Sequence, residues 1–277
     1  YASTTPHECQ SMAVVHNTPC NKILAGCKDI CKTNIKYKGV SGLTKRLDSE
    51  FHAFGGGHSS TFTTASRGIV MAAQYKGETD RQHVAIIGDG AMTAGMAFEA
   101  LNHAGIEKSN ILIILNDNCM SIDPNVGALK EYLTDITTSQ TYNKLRDDFW
   151  KALGKLPGKT FSRSMVSKLE AGLKGMVSNS SNLFEALNLR YFGPIDGHNI
   201  TKLVDTLKDL KDIPGPKLLH IKTVKGKGYE LAEKDQTKWH APGLFDKITG
   251  EIYKKKFDLP QPPKYQDVFG YTIIELA

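Results

Sequence analysis

Two short runs carry residue types suited to a phosphate-bound cation: Gly88-Asp89-Gly90-Ala91 and Asn116-Asp117-Asn118. Asp89 offers a carboxylate oxygen and Asn118 an amide oxygen. Hard oxygen donors suit Mg²⁺, which takes about six of them and commonly borrows some from a bound phosphate. Gly90 lets the backbone approach such a phosphate, and a helix N-terminus would add N–H donors. Either run alone is an ordinary turn. Their pairing is more specific because of the elements around them.

Val84-Ala85-Ile86-Ile87 reads as a strand buried on both faces, ending at Gly88. Residues 93–104 read as a helix, with Met96, Ala97, Ala100, Leu101 and Ala104 at helical spacing and Gly105 as its stop. Ile111 to Leu115 reads as a second buried strand, ending at Asn116. Strand, helix and strand with short loops form a right-handed βαβ unit of a parallel sheet. In such a sheet ligands bind beyond the carboxyl ends of the strands, so both tips can meet around one ligand.

The flanking chain supplies further elements. Phe54 to Ser60 is a loop by composition. Thr61 to Tyr75 reads as a helix with Ile69, Val70, Ala72 and Ala73 on its apolar side. Residues 127–177 look mostly helical, and 183–188 form a short helix. Asn199 is placed to cap a helix that turns Ile200, Leu203, Val204, Leu207 and Leu210 to one side. Pro214-Gly215-Pro216 breaks it, and Leu218 to Val224 is a third strand. Leu259-Pro260-Gln261-Pro262-Pro263 is a linker, after which Tyr265 to Ala277 begins a new amphipathic helix. The fold class expected is α/β, a mainly parallel sheet with helices on both faces.

Composition narrows the function. The chain has 277 residues, 40% hydrophobic and 23% charged, with a formal net charge of +6. Its basic residues are scattered, the densest run being Lys254-Lys255-Lys256, which argues against a nucleic-acid binder. No apolar run is long enough for a membrane span. Cys9, Cys20, Cys27 and Cys31 are irregularly spaced with no C-x-x-C pair, which reads as reduced thiols in a cytoplasm. No P-loop, dinucleotide glycine fingerprint or H-E-x-x-H helix is present. The chain begins without Met, so a fragment or processed product is expected.

Gly-Asp-Gly followed downstream by Asn, each after a strand, is similar to the thiamin-diphosphate motif. The run from Gly88 to Gly105 resembles the 1-deoxy-D-xylulose 5-phosphate synthases, as does Ile114 to Asn118 with Met120-Ser121-Ile122 and Val126 to Leu129. So do Gly57-His58-Ser59-Ser60, Gly193 to His198, Lys225 to Glu230 with Ala232 to Asp235, and His240-Ala241-Pro242. The resemblance runs from about Lys22 to the C-terminus. It implies thiamin diphosphate and Mg²⁺ as cofactors, with Asp89, Asn118 and the backbone carbonyl of Met120 as Mg²⁺ ligands. Gly90 and Ala91 would meet the diphosphate, Gly57, His58 and Ser59 would run along the cofactor, and Tyr229 would lie near it. His240 matches a family histidine facing the reaction centre, and His16 matches another. His103 and His198 are read as structural.

The implied reaction joins pyruvate to glyceraldehyde 3-phosphate with loss of CO₂, feeding isoprenoid, thiamin and pyridoxal synthesis, in a homodimer without nucleic acid or membrane. The implied organisation is a diphosphate-binding domain over 1–258, then a linker and the start of a pyrimidine-binding domain over 259–277. The family's glutamate for the aminopyrimidine ring falls beyond Ala277, so this chain alone is expected to be inactive. The first 20 residues depart from the family, as Met12-Ala13-Val14-Val15 precedes His16 where the family has Trp-Asp-x-Gly, and Ser41 stands about where the family has a histidine. Two alternatives stay open: the N-terminal subunit of a split transketolase, and a non-catalytic cofactor-binding fragment.

Overall fold

A computed structural model describes residues 12–14, 33, 38–39, 41–43, 45–48, 54–78, 80–121, 123–138, 183–253 and 262–277. Among these, five strands pair in parallel in the order β1-β2-β3-β5-β4. They are β1 (Met12–Val14), β2 (Val84–Gly88), β3 (Leu112–Asp117), β4 (Arg190–Asp196) and β5 (Lys217–Lys222). The helices are α1 (Thr61–Tyr75), α2 (Asp89–Met92), α3 (Gly95–Ile106), α4 (Ala128–Thr138), α5 (Leu183–Ala186), α6 (Ile200–Lys211), α7 (Glu230–Lys234) and α8 (Tyr265–Leu276). The expected α/β class, with helices on both faces of a parallel sheet, is the one observed.

Strand alternation divides the core in two. On one face Ala85 and Ile87 of β2, Ile113 and Leu115 of β3 and Leu218 of β5 pack with Val70 of α1, Ala97 and Leu101 of α3, Leu133 of α4 and Phe184 of α5. On the other, Leu112, Ile114, Phe192, Ile195 and Leu219 pack with Leu210 of α6. Completely buried side chains such as Leu101, Ile113 and Leu115 each contribute about 1.5–3 kcal/mol by leaving water. Register then sets function: Gly88 pairs with Asn116, so the strands carrying the two polar runs end level with each other.

Several local expectations are corrected. Gly105 does not stop α3, which runs on to Ile106 and ends where Lys108 takes a left-handed φ of 50°. Gly105 is glycine because the carbonyl of Leu187 packs against it, where a Cβ would collide. Asn199 does cap α6, its Oδ1 accepting from the Lys202 N–H at 3.0 Å. The buried side of α6, however, carries Leu203, Thr206, Leu207 and Leu210, whereas Ile200 is 65% and Val204 42% exposed. Strands β1 and β4 were not anticipated. In β4 the Gly193-Pro194 pair looks like a breaker, yet the strand continues past it with a pairing irregularity between Phe192 and Ile195. Of the helical stretch expected over 127–177, α4 is observed and residues 139–177 lie outside the described residues, as do the four early cysteines.

Gly105→Ala separates packing from propensity. Alanine is favoured inside a helix by about 1 kcal/mol over glycine, whereas overpacking against a fixed carbonyl costs roughly 1–3 kcal/mol or more. The expected result is a lower urea or thermal unfolding midpoint; a higher one would show that the contact with Leu187 yields freely.

Candidate functional site

Because β2 and β3 end together, the turns that follow them share one edge of the sheet. A cleft of about 790 Å³ reaches that edge, lined there by Asp89, Gly90, Asn118, Met120 and Lys225. It runs back along the sheet face past Val84, Ile86, Leu112 and Ile114 to Leu203 and Leu207 of α6, with His240 also on its wall. Five residues picked from the sequence thus face a single space. Ala91, buried behind Gly90, holds the neighbouring loop: its carbonyl accepts from Ser60 Oγ at 2.7 Å. That bond brings Gly57, His58 and Ser59, all exposed, beside the Gly90-Ala91 turn, although they do not line the cleft. His16 lies outside the described residues.

The two turns are interlocked. Asn125 Nδ2 donates to Asp89 Oδ2 at 2.7 Å, reaching back from the loop after β3. A Cβ on Gly90 would stand 3.1 Å from both Asn125 Oδ1 and Ser121 Cβ. Gly90 therefore gives room to the opposing loop, a use different from the expected approach of a phosphate. Within that loop Asn118 Oδ1 accepts the Met120 N–H at 3.0 Å and Asp117 Oδ1 accepts the Cys119 N–H at 3.1 Å, with Cys119 at a φ of 59°. Lys225 Nζ donates to the Ser121 carbonyl at 2.5 Å, and Thr223 Oγ1 donates to Asn116 Oδ1 at 2.7 Å, so the segment after β5 braces the same loop. His198, read from sequence as structural, also lines the cleft and accepts the Val224 N–H on Nε2 at 2.8 Å.

Charge is concentrated behind the turns. Asp89 is only 5% exposed and Asp117 3%, and both line one small cavity with Cys119 and Asn125. Burial, reinforced by the charge of Asp117, pushes the Asp89 carboxyl up to about 6. For Asp117 burial works the same way, but the hydrogen bonds from His220 and the Cys119 N–H outweigh it and hold the carboxyl down at about 2. A buried carboxyl raised in this way is a place where a cation would be welcome.

The donor chemistry fits a hard divalent ion. Asp89 gives a carboxylate, Asn118 an amide oxygen whose second lone pair is not needed by Met120, and the loop backbone gives carbonyls. No group of three or more His, Cys, Asp or Glu side chains gathers among the described residues.

On the wall of the same cleft, His240 follows Trp239, which belongs to a cluster of three rings. Trp239 meets Tyr229 edge-on at 5.0 Å and Phe245 at 4.9 Å, and Tyr229 lies 6.0 Å from Phe245. Tyr229, expected beside the cofactor, is in this cluster and not on the cleft wall. Sequence reading also passed over Asn125, His220 and Tyr191. Asn125 gives no signal of its own, while His220 and Tyr191 look like ordinary strand residues.

Among solved structures, transketolase from Campylobacter jejuni matches with a TM-score of 0.54 at 18% identity, covering 82% of this chain and 31% of that one. The fold is thus of the transketolase-like α/β class. The sequence profile of the family described as 1-deoxy-D-xylulose-5-phosphate synthase matches residues 3–223, and the chain belongs to this family. It is 58% identical over 279 residues to the 1-deoxy-D-xylulose-5-phosphate synthase of Cytophaga hutchinsonii, and 49% identical over 279 residues to that of Parabacteroides distasonis. Each match takes in 100% of this chain and 44% of the relative, so the chain spans less than half the length of these proteins.

The raised Asp89 carboxyl sets a sign for stability. Its proton is held in the folded state to about pH 6 but released near the ordinary 3.8 when unfolded. The stability it contributes is therefore present below about pH 4 and lost as pH rises through about 6. In the cation-free protein, Asp89→Asn is expected to raise the thermal midpoint more at about pH 8 than at about pH 4.5. An equal shift at both pH values would mean that Asp89 does not carry the buried charge described here.

Proposed function

We propose that the chain forms the diphosphate- and Mg²⁺-binding part of a thiamin-diphosphate-dependent 1-deoxy-D-xylulose-5-phosphate synthase. The observation that carries this reading is the convergence of Asp89 and Asn118, from the ends of neighbouring strands, on one cleft. In the reaction so assigned, pyruvate loses CO₂ and its remaining two-carbon unit joins glyceraldehyde 3-phosphate. Family membership, with relatives of that name at 58% and 49% identity, supports the assignment.

Asp89, Asn118 and the Met120 carbonyl would hold Mg²⁺ next to the cofactor's diphosphate. Gly90 and Ala91 form the turn next to that diphosphate, and Gly57, His58 and Ser59 run along the cofactor from the loop that Ser60 ties to Ala91. Thiamin diphosphate, held there, would supply the nucleophilic carbon and the electron sink that decarboxylation of a 2-keto acid requires. His240 stands at the wall of the same cleft, where an imidazole can pass protons to and from a substrate oxygen. His16 is assigned the same kind of task. Residues 1–258 are the cofactor domain on this reading, and residues 259–277, including α8, lead into the pyrimidine-binding domain of a homodimeric enzyme. No described helix is long and apolar enough to cross a membrane, which is compatible with the cytoplasmic site of action proposed here.

The test pairs binding with turnover. In the full-length protein, Asn118→Ala is expected to weaken Mg²⁺-dependent binding of thiamin diphosphate by roughly 10-fold or more, the loss of a donor held to about 1.4 kcal/mol or above. The 277-residue chain alone is expected to give no product from pyruvate and glyceraldehyde 3-phosphate. Product formed by the full-length protein from a ketose phosphate donor, and none from pyruvate, would favour a transketolase instead. Turnover by the isolated chain would refute the division of labour between domains.

A further inference from the structure

A line of buried hydrogen bonds crosses three strands of the sheet and stops at the carboxylates behind the cleft. Tyr191 on β4 places its hydroxyl 2.5 Å from His220 Nδ1, and His220 Nε2 on β5 lies 3.0 Å from Asp117 Oδ2 on β3. His220 is fully buried, and Asp117 and Tyr191 are 3% and 9% exposed. With the imidazole neutral, Nε2–H donates to the carboxylate and Nδ1 accepts the tyrosine O–H. The ring is thereby pinned, since a flip would set C–H groups against both partners.

What the ring holds is the orientation of one carboxylate. The other oxygen of Asp117 accepts the N–H of Cys119, a non-glycine residue in the left-handed region at φ 59°. A conformation of that kind costs of order 1–3 kcal/mol and persists only where neighbours impose it. Asn118 and Met120 sit on either side of Cys119, and Asp117 lines the same small cavity as Asp89. One oriented carboxylate therefore touches the backbone between two proposed cation donors and shares a cavity with the third.

We propose that His220, aligned by Tyr191, is a positioning residue for the cation site: it fixes the Asp117 carboxylate and through it the placement of Asn118, Met120 and Asp89. The inference rests on the assignment of those three residues as Mg²⁺ ligands. Residues directly behind a metal ligand typically change metal affinity or activity by roughly 10–100-fold when removed, and His220, acting one step further back through Asp117, is placed at the lower end of that range. A histidine that merely filled space in the core would change stability and leave cation affinity alone.

The experiment uses the full-length protein with thiamin diphosphate and follows Mn²⁺ binding by electron paramagnetic resonance. His220→Leu is expected to weaken Mn²⁺ binding about 10-fold or more. His220→Gln, whose amide can donate from near the Nε2 position, is expected to recover most of the loss. Tyr191→Phe, which deletes only the hydroxyl, is expected to weaken binding by a smaller factor with no change in the KM for pyruvate, and it serves where the leucine variant does not fold. Wild-type Mn²⁺ affinity in a folded His220→Leu protein, or in Tyr191→Phe when the former does not fold, overturns the positioning role. A wild-type protein that binds no Mn²⁺ with thiamin diphosphate overturns the ligand assignment itself, and this role with it.

Discussion

Two carboxyls are held together, nearly out of water, at the ends of adjacent parallel strands, and much of the surrounding structure answers to that constraint. A buried charge needs partners, and a pair of like charges needs them more. Asn125 donates to Asp89, while His220 and the Cys119 N–H serve Asp117. Two of these partners belong to the loop after β3 and the third, His220, to β5. The site is thus a property of the assembled sheet edge rather than of any one loop.

The parallel register makes this assembly possible. With Gly88 opposite Asn116, the turns after β2 and β3 emerge at the same height and lock together through the space left by Gly90. The segment after β5 closes from the third side, Thr223 holding Asn116 and Lys225 holding Ser121. Core packing on both faces keeps these strand ends fixed, and fixed donors are what a cation with strict geometry requires.

The parts of this arrangement that were legible in the sequence are those with a local signature. Continuous apolar runs ending in Gly-Asp-Gly and Asn-Asp-Asn mark buried strands whose carboxyl ends carry function, and both strands and their shared edge followed from that pattern. Asn199 declared itself as a cap by position alone. What stayed hidden depends on contacts distant in the chain. The role of Gly105 comes from Leu187, that of Asp117 from His220, and that of Asn125 from Asp89. Ile200 and Val204 fit a helical stripe but stay exposed while Leu203, Leu207 and Leu210 pack on the sheet, so periodicity overstated the buried side. Strand β4 was obscured because Gly193 and Pro194, residues that usually end a strand, lie within it.

The three-ring cluster of Tyr229, Trp239 and Phe245 gives His240 a footing of its own on the cleft. The histidine follows Trp239 in a segment outside the strands, whereas Asp89 and Asn118 follow the ends of β2 and β3. On the proposed assignment the molecule separates its anchor from its tool. Substitutions around the rings would then re-aim the imidazole toward a different substrate while the diphosphate site keeps its grip, so selectivity would drift without the shared chemistry being rebuilt.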